Sequence, residues 1–331
     1  MITTPSFWYH RSITGYIIMM LLWPLSILWR LVSYYRRLWT RPVQLALPVI
    51  CIGNLTAGGT GKTPLVRQFA LTATASGLNP VILSKGYGGK EKGPMIVSPE
   101  SPSDMVGDEP LELSGICPVV IAKSRKAGAR WITEHMTADV IIMDDGFQNP
   151  AIRPDYGILV FDGKRGIGNG QIIPVGPMRE RLRYGLHRAS HVVIIGDDAQ
   201  GLTRVIKTIK PDMPVISAHK RFDQTAWEAM PKTHLVAFAG IGHPDAFFSM
   251  ITQQGGKMVQ HMAFPDHHQY TDTDWEHIVA TASHNKARLV TTMKDYMRLD
   301  PKQRQHVTPL PLMLDINKTW INTIFNECRH D

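Results

Sequence analysis

Residues 49–64 read VICIGNLTAGGTGKTP: an apolar run, a loop carrying Gly58, Gly59 and Gly61, then Lys62-Thr63-Pro64 opening an apolar helical stretch. Glycines in such a loop let backbone N–H groups turn inward around phosphates, at approaches a side chain would forbid. The start of the following helix adds partial positive charge. Lys62 is placed to reach the β- and γ-phosphates, and the Thr63 hydroxyl to bind Mg²⁺. The strict spacing GxxxxGK[ST] asks for Gly where this chain has Thr56. The cradle is therefore Thr56, Ala57, Gly58, Gly59, Thr60, Gly61, Lys62 and Thr63, in strand–loop–helix context.

A second motif supports the first. Val140–Gly146, VIIMDDG, is an apolar strand ending in Asp144 and Asp145. A buried strand of this kind delivers a carboxylate to the Mg²⁺ shell opposite the loop hydroxyl. Adjacent side chains on a strand point to opposite faces, so one of the two touches the metal; the pattern leaves open which.

Outward from these motifs, the chain alternates strand and helix. Candidate strands are 48–53, 80–84, 118–122, 140–143, 157–161, 191–195 and 214–218, with helices over 63–76 and 124–136. Runs apolar on both faces suit a parallel sheet covered by helices. The fold class is α/β: a P-loop NTPase-like, doubly wound, mainly parallel sheet with ligands beyond its carboxyl ends. A second, smaller α/β lobe follows from Leu235. The expected division is 1–37 as an N-terminal segment, 38–222 as the P-loop domain and 223–331 as the smaller lobe.

The N-terminal segment is special. Ser12–Trp29 holds no charge over 18 residues, about 27 Å as a helix, close to the hydrocarbon thickness of a bilayer. Trp8, Tyr9, Tyr34 and Tyr35 flank it, and Arg30, Arg36, Arg37 and Arg41 follow. That order suits a membrane-associated helix on the side of anionic lipid, with the rest of the chain cytoplasmic. A cleaved signal peptide lacks its small-residue site in LVSYYRRLW. A helix buried in a soluble core is the competing reading, and Pro24 predicts a kink or a split.

Composition bounds the rest. The 331 residues carry 36 Lys+Arg against 28 Asp+Glu, a net charge of +8, which favours an anionic partner. Hydrophobic residues at 44% and charged residues at 19% exclude a disordered chain. Cys51, Cys117 and Cys328 are far apart with no CxxC pair, which excludes a disulfide scaffold or structural zinc site.

Further motifs follow in order: Ser84–Gly89 (SKGYGG), Gly107–Pro110 (GDEP), Pro174–Glu180 (PVGPMRE), Phe264–Tyr270 (FPDHHQY) and Thr291–Asp295 (TTMKD). Each alone is a turn, cap or loop; His267 or His268 as a metal ligand lacks further ligands nearby. With GNLTAGGTGKTP and DDGFQ, the series closely resembles the tetraacyldisaccharide 4′-kinase family of lipid A biosynthesis, to about Asp295. The resemblance implies an enzyme that moves the γ-phosphate of ATP, with Mg²⁺, to the 4′-hydroxyl of a tetraacylated glucosamine disaccharide 1-phosphate. It implies the cytoplasmic face of a Gram-negative inner membrane, a lipid A precursor and an anionic membrane surface as partners, and neither nucleic acid nor an obligate protein partner. By the same resemblance Asp108 and His267 are a base dyad, Lys62 and Thr63 the loop residues, Asp144 and Asp145 the acidic pair, and Tyr87 and Arg179 active-site residues. Lys85 departs from the Arg common in relatives and loses its fork geometry. The alternative is a membrane-tethered P-loop ATPase switch. Such switches carry an extra Lys where Ala57 stands, and Thr292–Asp295 is off register for a guanine signature.

Overall fold

The computed structural model describes residues 5–10, 12–230 and 233–328; residues 1–4, 11, 231–232 and 329–331 of the expected segments lie outside these. The apolar runs become strands: β1 (Val49–Gly53), β2 (Pro80–Ser84), β3 (Met95–Ile96), β4 (Val119–Ile121), β5 (Val140–Asp144), β6 (Tyr156–Asp162), β7 (His191–Ile195) and β8 (Val215–Phe222). Along β1 every residue is buried, Ile50 and Ile52 among one set of core side chains and Val49 and Cys51 among another. A strand needs no polar face when helices cover the sheet on both sides.

Among the described residues these strands join one more, β13 (Leu312–Asp315), in a nine-stranded sheet ordered β13-β8-β7-β6-β1-β5-β2-β4-β3. Pairing is parallel except for β3 with β4 and β13 with β8 at the two edges. β1 lies between β5 and β6, so the loop after it opens where the chain first winds one way and then the other. That is where ligands sit in such sheets.

The second lobe is a four-stranded parallel sheet, β10-β9-β11-β12, built from β9 (Leu235–Ala239), β10 (Met258–Ala263), β11 (Arg288–Thr292) and β12 (Val307–Leu310). The expected lobe 223–331 needs correction at its end. After Pro311 the chain re-enters the large sheet as β13, and the helix Lys318–Cys328 packs on the P-loop helix Lys62–Ala75. The cause is apolar complementarity: Phe325 and Trp320 set their rings 5.8 and 5.6 Å from Phe69. β8 also runs four residues past its expected end, because β13 pairs along Phe222–His219.

The N-terminal helix is continuous from Ile13 to Trp39 through Pro24, with Ser12 capping the Gly15 N–H. It is not a core helix, since only Gly15 and Ser26 are buried. One stripe docks on the protein: Ser26 Oγ donates to the Ile172 carbonyl (2.8 Å), Trp29 Nε1 to that of Arg179 (3.1 Å) and Arg36 to that of Gln148 (2.6 Å). Arg37 pairs with the buried Glu180 carboxylate. Much of the remaining surface is bare and apolar, with Ile13, Met20 and Leu21 81%, 77% and 74% exposed.

If the terminal helix closes the first core, Phe325→Ala will lower stability by about 3–5 kcal/mol in denaturant unfolding. A loss below about 1 kcal/mol would assign that helix elsewhere.

Candidate active site

The loop after β1 is held by its own side chains. The Asn54 amide is fully buried and donates to the Thr56 carbonyl (2.8 Å) and the Thr60 hydroxyl (3.1 Å). Gly61 closes the loop at φ +88°, and a Cβ there would lie 2.7 Å from Ile195 Cδ1. The left-handed backbone there favours glycine. The helix then starts at Lys62, with Thr63 buried behind it.

The Pro174–Glu180 turn is sewn onto this loop. Thr56 bridges Met178, the Ala57 N–H donates to the Pro177 carbonyl (2.7 Å), and the Arg179 N–H to the Leu55 carbonyl (2.6 Å). Arg179 is thereby aimed at the end of β5, where its Nη1 sits 3.0 and 3.2 Å from the two Asp145 oxygens and 3.1 Å from Gln148 Oε1. Lys62 Nζ is 3.6 Å from the same carboxylate. Burial pushes the Asp145 carboxyl up, but Lys62 and Arg179 together outweigh it and hold the group below its usual range.

Asp144 is different. It is buried beside Ile52 of β1, with Ser84 Oγ at 3.5 Å from Oδ2, while Oδ1 has no hydrogen-bond partner. Burial, then the charges of Glu109 and Asp145, push it up to about 7. A buried carboxylate oxygen without a partner could complete its contacts on a Mg²⁺ ion, whereas Asp145 already pairs with two cations. Among the described residues no three His, Cys, Asp or Glu side chains converge as a ready cage.

On the other wall, Gly107 at φ +95° lets the chain pass under the Ser84–Gly89 loop; a Cβ there would meet the Tyr87 carbonyl at 2.5 Å. Asp108 then begins the helix Asp108–Ser114. His267 Nδ1 lies 2.9 Å from Asp108 Oδ2. Arg298 donates to the same oxygen from Nη2 (2.6 Å) and Nε (3.0 Å). A carboxylate held by a guanidinium can only accept, so Nδ1 of His267 donates, which leaves Nε2, 4.0 Å from Asp266 Oδ1, as the acceptor of the ring. The bond to Asp108 raises the His267 pKa above its ordinary value, against burial and with help from Asp266. Burial raises Asp108, but His267 and Arg298 together hold it below the carboxylate range. His267 adopts φ +60° and Asp145 φ +47°, two of three non-glycine residues in that region among those described. Strained backbone of this kind collects at functional sites.

The two groups of residues lie near one another, since the charges of Lys62 and Asp145 both bear on Glu109, the neighbour of Asp108. Tyr87 and Lys85 are exposed. The two histidines divide. His268 bonds Asp274 (2.9 Å) and stacks on Phe264, and with His267 on Asp108 neither is placed as a metal ligand. Arg298 was not among the sequence candidates, and Glu109 and Lys294, which pair at 2.6 Å, stood in the GDEP and TTMKD motifs without an assigned role. Their signal was present: Lys294 and Arg298, four apart, share one helical face.

Residues 18–329 match the model of the family described as tetraacyldisaccharide-1-P 4′-kinase. The tetraacyldisaccharide 4′-kinase of Rhodospirillum centenum is 38% identical over 94% of this chain and 91% of its own. That of Gluconacetobacter diazotrophicus is 40% identical over 87% and 85%. A crystal structure of LpxK from Aquifex aeolicus, described as an "apo" form in complex with ATP, superposes with a TM-score of 0.73 at 24% identity, over 93% of this chain and 99% of that one, and so shares the fold. With the family model running over nearly its whole length, and a P-loop, an acidic strand end and an Asp–His pair near one another, this chain belongs to the tetraacyldisaccharide-1-P 4′-kinase family.

Proposed function

We propose that this chain transfers the γ-phosphoryl group of ATP to the 4′-hydroxyl of a tetraacylated glucosamine disaccharide 1-phosphate, at the cytoplasmic face of a Gram-negative inner membrane. The observation that carries the reading is the Asp108–His267 pair facing a P-loop whose Lys62 and Arg179 already gather around a carboxylate. The acceptor is a neutral alcohol and must lose its proton as the new P–O bond forms. His267 Nε2 takes that proton, while the Nδ1–H bond to Asp108 stabilises the imidazolium that results. The new bond forms to the 4′-oxygen as the bond from the γ-phosphorus to the β,γ-bridging oxygen breaks, and the pair of electrons leaves with ADP.

Charge spread over the transferring group is the main burden of this reaction. Lys62 and the inward N–H groups of Thr56–Thr63 meet it from the loop, and Arg179 exchanges Asp145 for phosphate oxygen. Thr63 and Asp144 are the residues that would hold Mg²⁺, which supplies further charge neutralisation at the phosphates. The exposed Tyr87 and Lys85 are placed for the sugar or its 1-phosphate.

The exposed face of the N-terminal helix supplies the membrane contact. Its bare apolar residues, followed by Arg30, Arg36, Arg37 and Arg41, suit an anionic interface. Its docked stripe ends on Arg179 and Glu180, so the bilayer surface and the cleft stand side by side.

Three outcomes test the reading. Label from γ-labelled ATP should appear on the lipid in detergent micelles, and Lys62→Ala should cut the rate by about 10²–10³-fold. ATP hydrolysis without labelled lipid would instead favour a nucleotide switch. The wild-type rate should rise with pH through a pKa above the ordinary histidine value of about 6.5, since imidazolium cannot accept a proton. Asp108→Asn replaces the carboxylate that raises His267 with a neutral, weaker acceptor, so this acid limb should move to lower pH while kcat falls by about 10²–10⁴-fold; an unmoved limb would sink the dyad. Met20→Asp with Leu21→Asp should weaken binding to anionic phospholipid vesicles by about tenfold per side chain, and unchanged partitioning would remove the helix from the membrane.

A further inference from the structure

The TTMKD stretch is left without a role by the reaction above. It opens a short helix, Met293–Arg298, which Thr292 caps by accepting from the Asp295 N–H (3.1 Å). Asp295 is completely buried and takes four further donors: the Gly240 N–H (3.0 Å), the Tyr270 hydroxyl (2.9 Å), the Thr292 hydroxyl (2.6 Å) and Arg298 Nη1 (3.0 Å). A carboxylate so fully satisfied is a fixed anchor. It fixes the Arg298 guanidinium, whose Nη1 also donates to the Gly240 carbonyl (2.8 Å) and whose side chain has no exposed surface. The rest of the fork, Nε and Nη2, crosses from the smaller lobe to Asp108 Oδ2. One turn earlier, Lys294 makes the parallel crossing to Glu109.

We infer that Arg298 is a positioning residue for phosphoryl transfer: from across the lobe boundary it holds Asp108 Oδ2 where the His267 ring must find it. The inference rests on the Asp108–His267 reading of the preceding section. Three donors converge on that oxygen, two from Arg298 and one from His267. With Oδ2 pinned, the Nδ1–H has one acceptor and Nε2 one direction. A lysine could supply the charge but not two parallel N–H groups on one oxygen. Arg298 Nη2 also passes 3.3 Å from His267 Nδ1, so its charge bears on both members of the pair.

The sign of the effect follows from the neighbours. Asp108 faces His267 and Arg298, with Glu112 one turn along its own helix and the Lys294 charge nearby; His267 faces Asp266 as well, and Arg298 faces Asp295 and Tyr270. The guanidinium disfavours a proton on both Asp108 and His267. Its removal makes both bind protons more tightly, and a coupled pair titrates as one unit.

The test uses the full chain in detergent, with γ-labelled ATP and the tetraacyl disaccharide 1-phosphate. Arg298→Lys and Arg298→Met should each lower kcat by about 10²-fold, as a mis-set catalytic group does, at an unchanged KM for ATP. In Arg298→Met the acid limb should move to higher pH, the direction opposite to Asp108→Asn. If the methionine variant fails to fold, as circular dichroism would show, Arg298→Lys carries the test alone through a double-mutant cycle. In an Asp108→Ala background it should cost nothing further. The same fold-loss in both backgrounds, or a wild-type kcat in Arg298→Lys, overturns the inference. Wild-type turnover in Asp108→Ala alone would remove the dyad reading, and this inference with it.

Discussion

The smaller lobe is held against the P-loop lobe at two neighbouring carboxylates, Asp108 and Glu109. Asp108 stands at the first residue of its helix and accepts from His267 and Arg298, both of which belong to the smaller lobe. A buried carboxylate that lost these donors would be strongly destabilised, because neither water nor another cation replaces them. A polar contact that joins the lobes therefore also holds the histidine proposed as proton acceptor. A base carried on a separate lobe would be in place only when the two lobes meet, which would limit loss of the phosphoryl group to water.

A second line of contacts runs the other way, from the apolar helix to the phosphate loop. Glu180 is buried and collects Arg37 from that helix, Arg188 (2.7 Å) and the Gln148 amide (3.4 Å). Gln148 in turn donates to the Asn54 carbonyl (2.7 Å) and accepts from Arg179. The residue that follows Arg179 thus serves as a bolt between helix and P-loop. A lipid substrate makes sense of such an arrangement. Its acyl chains are apolar while its sugar must reach the phosphate loop, so the apolar helix and the phosphate cradle need a fixed relation.

Much of this was legible in the letters, and the exceptions share a cause. VICIG, VIIMD and VVII declared themselves as buried parallel strands because continuous apolar runs have few other folds available. GGTGKT declared its loop because glycine and lysine at that spacing after a strand answer to phosphate. The return of β13 to the large sheet was not legible. LMLD looks like any short strand, and only the partner surfaces of β8 and Phe69 decide where it goes. Arg298 was hidden for a similar reason: as the last residue of a six-residue helix it looks like a C-terminal charge. Its fork is selected by Asp295 and Asp108, one three residues before it and one 190 residues away.

The acidic pair at the end of β5 shows how finely local geometry settles what spacing leaves open. On a regular strand Asp144 and Asp145 would face opposite sides, and either could meet a metal. The backbone of Asp145 turns to φ +47°, which ends the strand and swings that carboxylate to Lys62 and Arg179. Asp144 stays in register with Ile52, buried and with one oxygen unpaired. Two identical side chains, adjacent in sequence, are pushed in opposite directions: one held ionised by cations, the other driven up to about 7 by burial and neighbouring carboxylates. Environments that separate like groups in this way divide labour at a reaction centre. Here one acid holds the arginine and lysine, and the other keeps an oxygen without a partner.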